Sequence, residues 1–241
     1  MIRLVVQSDQ TSGQVVRLND RQQHYLTRVM RVSSGAAVEL LIPGQGLFAA
    51  TLESAGQMAL GERIAERVAS PVQLTLAQAL LKQDRMSEII EKGTEAGIGR
   101  FIPLLTERTI VRDVSPKRLV RWRSIAAEAA EQSRGGMVPE VVEPVSLKIF
   151  SQEKQAGLCL DPEGPSLAAW LRSRPSDTAI TLVVGPEGGL TGNELNRLDD
   201  IGFCRVSLGP RILRAENAGV YAAVLLHFWF GEALPTIGQD Y

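Results

Sequence analysis

Val183-Val184-Gly185-Pro186-Glu187-Gly188-Gly189-Leu190-Thr191 and Leu208-Gly209-Pro210-Arg211-Ile212-Leu213-Arg214-Ala215-Glu216-Asn217-Ala218 decide how this chain folds. Each stretch leaves a short apolar run, turns on glycine and opens a helical pattern. Glycine lets backbone approach a ligand closely, and turns beyond the carboxyl ends of strands are where open α/β sheets bind small molecules. Neither stretch is a phosphate loop, since both G-x-x-x-x-G-K-[ST] and G-x-G-x-x-G are missing. The pair therefore points to a small-molecule pocket that does not grip a pyrophosphate.

Working outward, residues 71–241 alternate strand and helix. Leu74–Leu81, Phe101–Leu105, Gly157–Leu160, Ala179–Val184 and Phe203–Leu208 read as strands. Asp84–Ile98 reads as a helix with Met86, Ile89, Ile90 and Thr94 on one stripe. Ser115-Pro116 opens a second helix, with proline at its first position, and Gly135-Gly136 stops it. Thr191-x-x-Glu194 is a capping box. Ala215–Phe230 is a helix apolar nearly all round, to be buried in the core or in an oligomer interface. Such alternation gives a parallel sheet covered on both faces. Residues 1–70 read instead as short strands, Ile2–Val6, Gln14–Leu18, Ala37–Ile42, Leu47–Leu52 and Gly61–Val68, with one helix, Arg21–Met30, capped by Asp20. That pattern suggests a small β-barrel, and Ser70-Pro71 marks the boundary.

The composition is that of an ordinary globular protein: 241 residues, 44% hydrophobic, 22% charged, formal charge -1. No global basic field advertises nucleic acid, although a local patch suffices for binding. No secretory h-region or membrane-spanning run is present. Cys159 and Cys204 sit in apolar runs and read as buried free thiols of a reducing cytoplasm. Two cysteines and two distant histidines do not make a zinc site, so no metal is expected.

Several further stretches carry a resemblance: His24–Arg31, Lys82–Met86, Ile90–Gly97, Pro103–Arg108, Glu128–Ser133, Gly185–Thr191 and Leu208–Ala218. In order and nearly end to end, the chain resembles the RsmE family of SPOUT-class RNA methyltransferases. The resemblance implies an α/β fold: a SPOUT-like domain (71–241) with a C-terminal trefoil knot and a dimer interface, preceded by a PUA-like, RNA-binding β-barrel (1–70). It implies S-adenosyl-L-methionine as cofactor, N3 of a uridine in 16S ribosomal RNA or the small subunit as substrate, a homodimer, no membrane, and the cytoplasm. It places the cofactor on Gly185, Glu187, Gly188, Gly189, Leu208, Gly209, Ile212 and Leu213. The family usually reads Arg-Thr-Glu-Thr where this chain has Arg214-Ala215-Glu216-Asn217.

Methylating uracil N3 requires loss of the imide proton, helped by a carboxylate acceptor and a cation beside the flanking carbonyls. Glu216 and Arg214 could fill those roles; they could equally form an ion pair or cap the last helix. RNA phosphates have candidates in Arg3, Arg28, Arg31, Lys82, Arg85 and Arg108. Arg28 and Arg31, three apart, would share a helix face. His24 reads as a packed, hydrogen-bonded side chain. Two other classes stay open: a ribosome-assembly factor that binds RNA without turnover, and an unrelated nucleotide or NAD enzyme.

Overall fold

The computed structural model describes residues 2–54, 56–64, 72–111, 113–152, 157–173 and 179–231. Two compact units separate, 1–69 with 127–138, and 70–126 with 139–241. The expected boundary at Ser70-Pro71 lies outside the described residues, and the grouping of 127–138 with the first unit was not foreseen from local patterns.

The first unit carries β1 (Ile2–Val5), β2 (Thr11–Ser12), β3 (Val15–Arg17), β4 (Ala37–Ile42), β5 (Gly46–Ser54) and β6 (Gln57–Arg63). They form one mixed sheet in the order β1-β4-β5-β6-β3-β2, with only β1 and β4 parallel. Side chains of a strand alternate between faces, and β4 divides accordingly. Val38, Leu40 and Ile42 pack with Leu4, Val16 and Met58. Leu41 packs on the other side with Val5, Leu47 and Ala130.

One helix was expected over Arg21–Met30. It is instead α1 (Asp20–His24), running into a π-helical turn over Tyr25–Val29. Its N-cap is Asn19, not Asp20. The Asn19 side chain accepts the Gln22 N–H, and the Gln22 side chain accepts the Asn19 N–H, so two donors are satisfied reciprocally. Only Leu26 of the π-turn is buried, and His24 is exposed rather than packed.

The second unit contains β7 (Gln73–Ala79), β8 (Ile98–Leu105), β9 (Glu140–Val141), β10 (Val145–Ser146), β11 (Gly157–Leu160), β12 (Ala179–Val184) and β13 (Phe203–Val206). All pair in parallel, in the order β10-β8-β7-β12-β11-β13, with β9 also on β8. The helices are α2 (Arg85–Glu95), α3 (Pro116–Ser133, of which 127–133 group with the first unit), α4 (Leu147–Phe150), α5 (Leu167–Ser173), α6 (Gly192–Ile201) and α7 (Ala215–Phe230). The sheet is buried on both faces, as parallel sheets are. Ile180, Leu182 and Val184 of β12 join the core of α2, α5, α7 and the first turns of α3. Val183 joins Leu147 of α4 and Leu198 of α6.

α7 lies on β7, β12 and α2. The approach is close: a Cβ on Gly219 would stand 2.6 Å from Leu76 Cδ1. α7 is not buried all round. Val220, Ala222, Ala223 and Leu226 face the core, while Tyr221, Val224, Leu225, Phe228 and Trp229 are exposed. Among the described residues no helix is long and apolar enough to cross a membrane.

Candidate functional site

From β7 the chain steps to β8 on one side, whereas β12 lies on the other. This reversal of strand order between β7 and β12 leaves a crevice beyond the carboxyl ends of the strands. A cavity of about 900 Å3 opens there. Its walls come from the segments after β7 (Lys82, Gln83, Arg85), β11 (Leu160–Glu163), β12 (Val184–Glu187, Gly189, Leu190) and β13 (Val206–Gly209, Arg211–Glu216, Ala218).

Most of the expected cofactor residues meet there. Gly185, Glu187, Gly189, Leu208, Gly209, Ile212 and Leu213 line the cavity; Gly188 does not. Arg214 and Glu216 line it as well, around the N-terminus of α7. Their neighbours Asn217 and Ala218 donate backbone N–H groups to the Arg214 carbonyl, the first turn of the helix. No ion pair joins Arg214 to Glu216 among those found in the described residues, and Arg214 caps α7 without a side-chain bond.

The turn after β12 is held from several directions. Gly189 sits at φ +71°, a region that only glycine enters without strain, and its N–H donates to the Pro186 carbonyl at 2.8 Å. A Cβ on Gly185 would lie 3.1 Å from the Leu190 nitrogen, so the turn closes over that residue. Glu187 accepts the Lys82 N–H at 3.2 Å, tying this turn to the segment after β7. That segment is itself anchored: Gln83 adopts φ +58°, its carbonyl accepts Arg118 Nη2 at 2.9 Å, and Asp84 pairs with Arg121 at 3.1 Å. Thr191 and Glu194 form the expected capping box. After β13, the Gly209 N–H donates to Ser207 Oγ at 3.3 Å, shaping the second glycine turn.

The six candidate RNA residues divide between the two units, Arg3, Arg28 and Arg31 in the first and Lys82, Arg85 and Arg108 in the second. Lys82 and Arg85 line the cavity. Arg108 donates to the carbonyls of Gly188 at 2.6 Å and Leu190 at 3.4 Å. In the first unit, Arg3 is 9% exposed and is occupied by Glu39 at 2.7 Å and the Gly135 carbonyl at 2.7 Å. Arg28 is exposed on the π-turn, but Arg31 lies past its end at φ +52°. The expected common helix face for that pair does not exist.

Sequence reasoning missed the segment after β11, where Leu160, Asp161, Pro162 and Glu163 form one wall. The Asp161 N–H donates to the Val206 carbonyl at 2.9 Å, which joins this wall to the end of β13. Its signal was present: an apolar strand followed by Asp-Pro-Glu-Gly, in a sheet whose strands all end on one side.

The lining is mixed in charge, with Lys82, Arg85, Arg211 and Arg214 as its cations. Apolar walls from Leu160, Leu190, Leu208 and Ile212 surround exposed backbone, and Asp161, Glu163, Glu187 and Glu216 are carboxylates of the same cavity. A family model for the RNA methyltransferase domain matches residues 68–227, and one for the RNA methyltransferase PUA domain matches 18–57. A ribosomal RNA small subunit methyltransferase E from Synechocystis is 40% identical over 228 residues, 91% of this chain and 75% of that protein. The chain belongs to this methyltransferase family. The Bacillus subtilis member is 33% identical over 225 residues, 85% of this chain and 86% of its own. Among solved structures, a family member from Neisseria gonorrhoeae bound to S-adenosyl methionine superposes with a TM-score of 0.83 at 28% identity, covering 95% of this chain and 97% of that one. A methyltransferase from Legionella pneumophila, also in complex with S-adenosyl methionine, gives 0.80 at 28% identity over 94% and 97%.

Proposed function

We propose that this chain transfers a methyl group from S-adenosylmethionine to N3 of a uridine in 16S ribosomal RNA. The observation that carries the reading is the cavity at the switch point. It unites both glycine turns with Arg214 and Glu216, in a chain of the methyltransferase E family. S-adenosylmethionine supplies an electrophilic methyl carbon on a cationic sulfur. The glycine turns present backbone N–H and C=O groups to its adenine, and the leucine walls exclude water. Glu216 takes the N3 imide proton, the new N3–carbon bond forms as the carbon–sulfur bond breaks, and that bonding pair stays on sulfur as a neutral thioether. Arg214 stabilises negative charge on the uracil oxygens as the proton leaves.

The same reading gives the first unit the role of a PUA-like RNA-binding barrel and the C-terminal segment a trefoil knot, with the division near residue 70. Lys82, Arg85, Arg28 and Arg31 are its RNA contacts. The exposed apolar side of α7 is the face of a homodimer, since a patch of this kind marks an interaction site. The place of action is the cytoplasm, on free RNA or the assembled subunit.

The test is methyl transfer from labelled S-adenosylmethionine to unmodified small subunits and to free 16S RNA, followed by nucleoside analysis. N3-methyluridine, lost when Gly185→Val disrupts the turn, is the expected result. Cofactor binding with no transfer to either substrate would favour an assembly factor that has kept the fold.

A further inference from the structure

Beyond β8 the chain runs Thr106-Glu107-Arg108, and this short segment grips the glycine turn after β12 at two places. The Glu107 N–H donates to Glu194 Oε1 at 2.8 Å, and the other oxygen of that carboxylate accepts the Thr191 N–H at 2.8 Å. Glu194 is 4% exposed, so its attachments are shielded from water. Arg108 Nη1 donates to the Gly188 carbonyl at 2.6 Å and to the Leu190 carbonyl at 3.4 Å. Its Cδ lies 3.5 Å from where a Cβ of Gly188 would stand, so the side chain lies along the turn.

Together these bonds fix two peptide planes at both ends. In the plane between Gly188 and Gly189, the carbonyl is held by Arg108 and the N–H by the Pro186 carbonyl. In the plane between Leu190 and Thr191, the carbonyl is held by Arg108 and the N–H by Glu194. Gly189 and Leu190, between those planes, line the cavity, while Gly188 and Arg108 do not. The guanidinium therefore works on the outer side of the turn. To reach a phosphate with the same nitrogen it would have to release a charge-assisted bond.

We infer that Arg108 is a positioning residue for the cofactor turn rather than an RNA phosphate contact. It acts through the Gly188 and Leu190 carbonyls and keeps the inner face of the turn in its binding shape. The inference rests on the reading of this cavity as the S-adenosylmethionine site.

Calorimetric titration of wild type, Arg108→Ala and Arg108→Lys with S-adenosylhomocysteine tests it, alongside binding of a 16S RNA fragment over a series of salt concentrations. Loss of a charge-assisted bond is expected to weaken cofactor binding about tenfold in Arg108→Ala. The KM for cofactor rises while kcat at saturation holds. The salt dependence of RNA binding stays that of wild type. Arg108→Lys keeps the charge but loses the planar fork, so cofactor affinity falls there too, which decides the matter if the alanine variant does not fold. Unchanged cofactor affinity in the folded variants overturns the inference. So does an RNA salt slope reduced by about one in Arg108→Ala, the signature of a lost phosphate contact. A wild type that binds no S-adenosylhomocysteine overturns the cofactor reading, and the inference with it.

Discussion

Arg214 and Glu216 flank Ala215 where α7 begins, and both face the cavity. Glu216→Gln keeps the shape and removes the proton acceptor. It is expected to lower kcat about 10²-fold while S-adenosylhomocysteine binds as before, measured by single-turnover methyl transfer and calorimetry. Away from the cavity lining, two titratable side chains respond to burial. Cys159 is buried in β11, and burial pushes its thiol up to about 12. At pH 8 only about one such thiol in ten thousand is ionised, and the thiolate is the reactive form. Cys159 is therefore expected to resist iodoacetamide in the native protein and to react once the chain is unfolded in urea, as read by mass spectrometry. Glu131 behaves differently. Its carboxylate accepts the Val5 N–H at 2.6 Å, yet burial, the larger effect, raises its pKa above the ordinary 4.5. Between that value and the raised one, the folded chain holds a proton that the unfolded chain has lost. Stability thus falls as pH rises through this window. Glu131→Gln keeps the acceptor and is expected to remove that loss, seen as a flatter dependence of the urea midpoint on pH from 4.5 upward.

At the scale of elements, α7 shows how packing overrides local preference. Gly219→Ala would gain up to about 1 kcal/mol of helix propensity. The new Cβ would stand 2.6 Å from Leu76, a fully buried side chain, and overpacking of this kind costs about 1–3 kcal/mol. Net destabilisation is expected, measurable as a lower urea midpoint with unchanged slope. Local signals served the sequence reading well where one element is decided by its own residues. Ala37–Ile42, Gly157–Leu160, Ala179–Val184 and Ala215–Phe230 have the bounds their apolar runs suggested. Local signals failed where a neighbour decides. Nothing in Tyr25–Val29 announces a π-turn, and so Arg31 was placed on a helix that ends before it. Helix α3 ends at Ser133, and Arg134 follows at φ +55°, ahead of the glycines expected to stop it. The wall after β11 was unread because adjacency of β11 to β12 and β13 is a long-range fact. The glycine turns were legible because their own spacing carries the chemistry.

At the scale of the whole molecule, the described residues leave an apolar surface exposed on one helix. Tyr221, Val224, Leu225, Phe228 and Trp229 expose an apolar strip along α7. On the homodimer reading, Phe228→Asp combined with Trp229→Asp is expected to give monomers by sedimentation velocity and to abolish methyl transfer, with the far-ultraviolet circular dichroism unchanged. Sedimentation as a monomer by the unaltered protein would end that reading.

The lining of the cavity begins at Lys82 and closes at Ala218. A ribosome adds about 5–20 residues per second, so roughly 7–27 s separate the synthesis of those two walls. Through that interval the crevice gains its walls one strand at a time, and Arg214 and Glu216 come among the last of them, with α7. A nascent chain thus lacks a complete cavity for methyl transfer until α7 arrives, and a message cut short before α7 yields a product without Arg214 and Glu216.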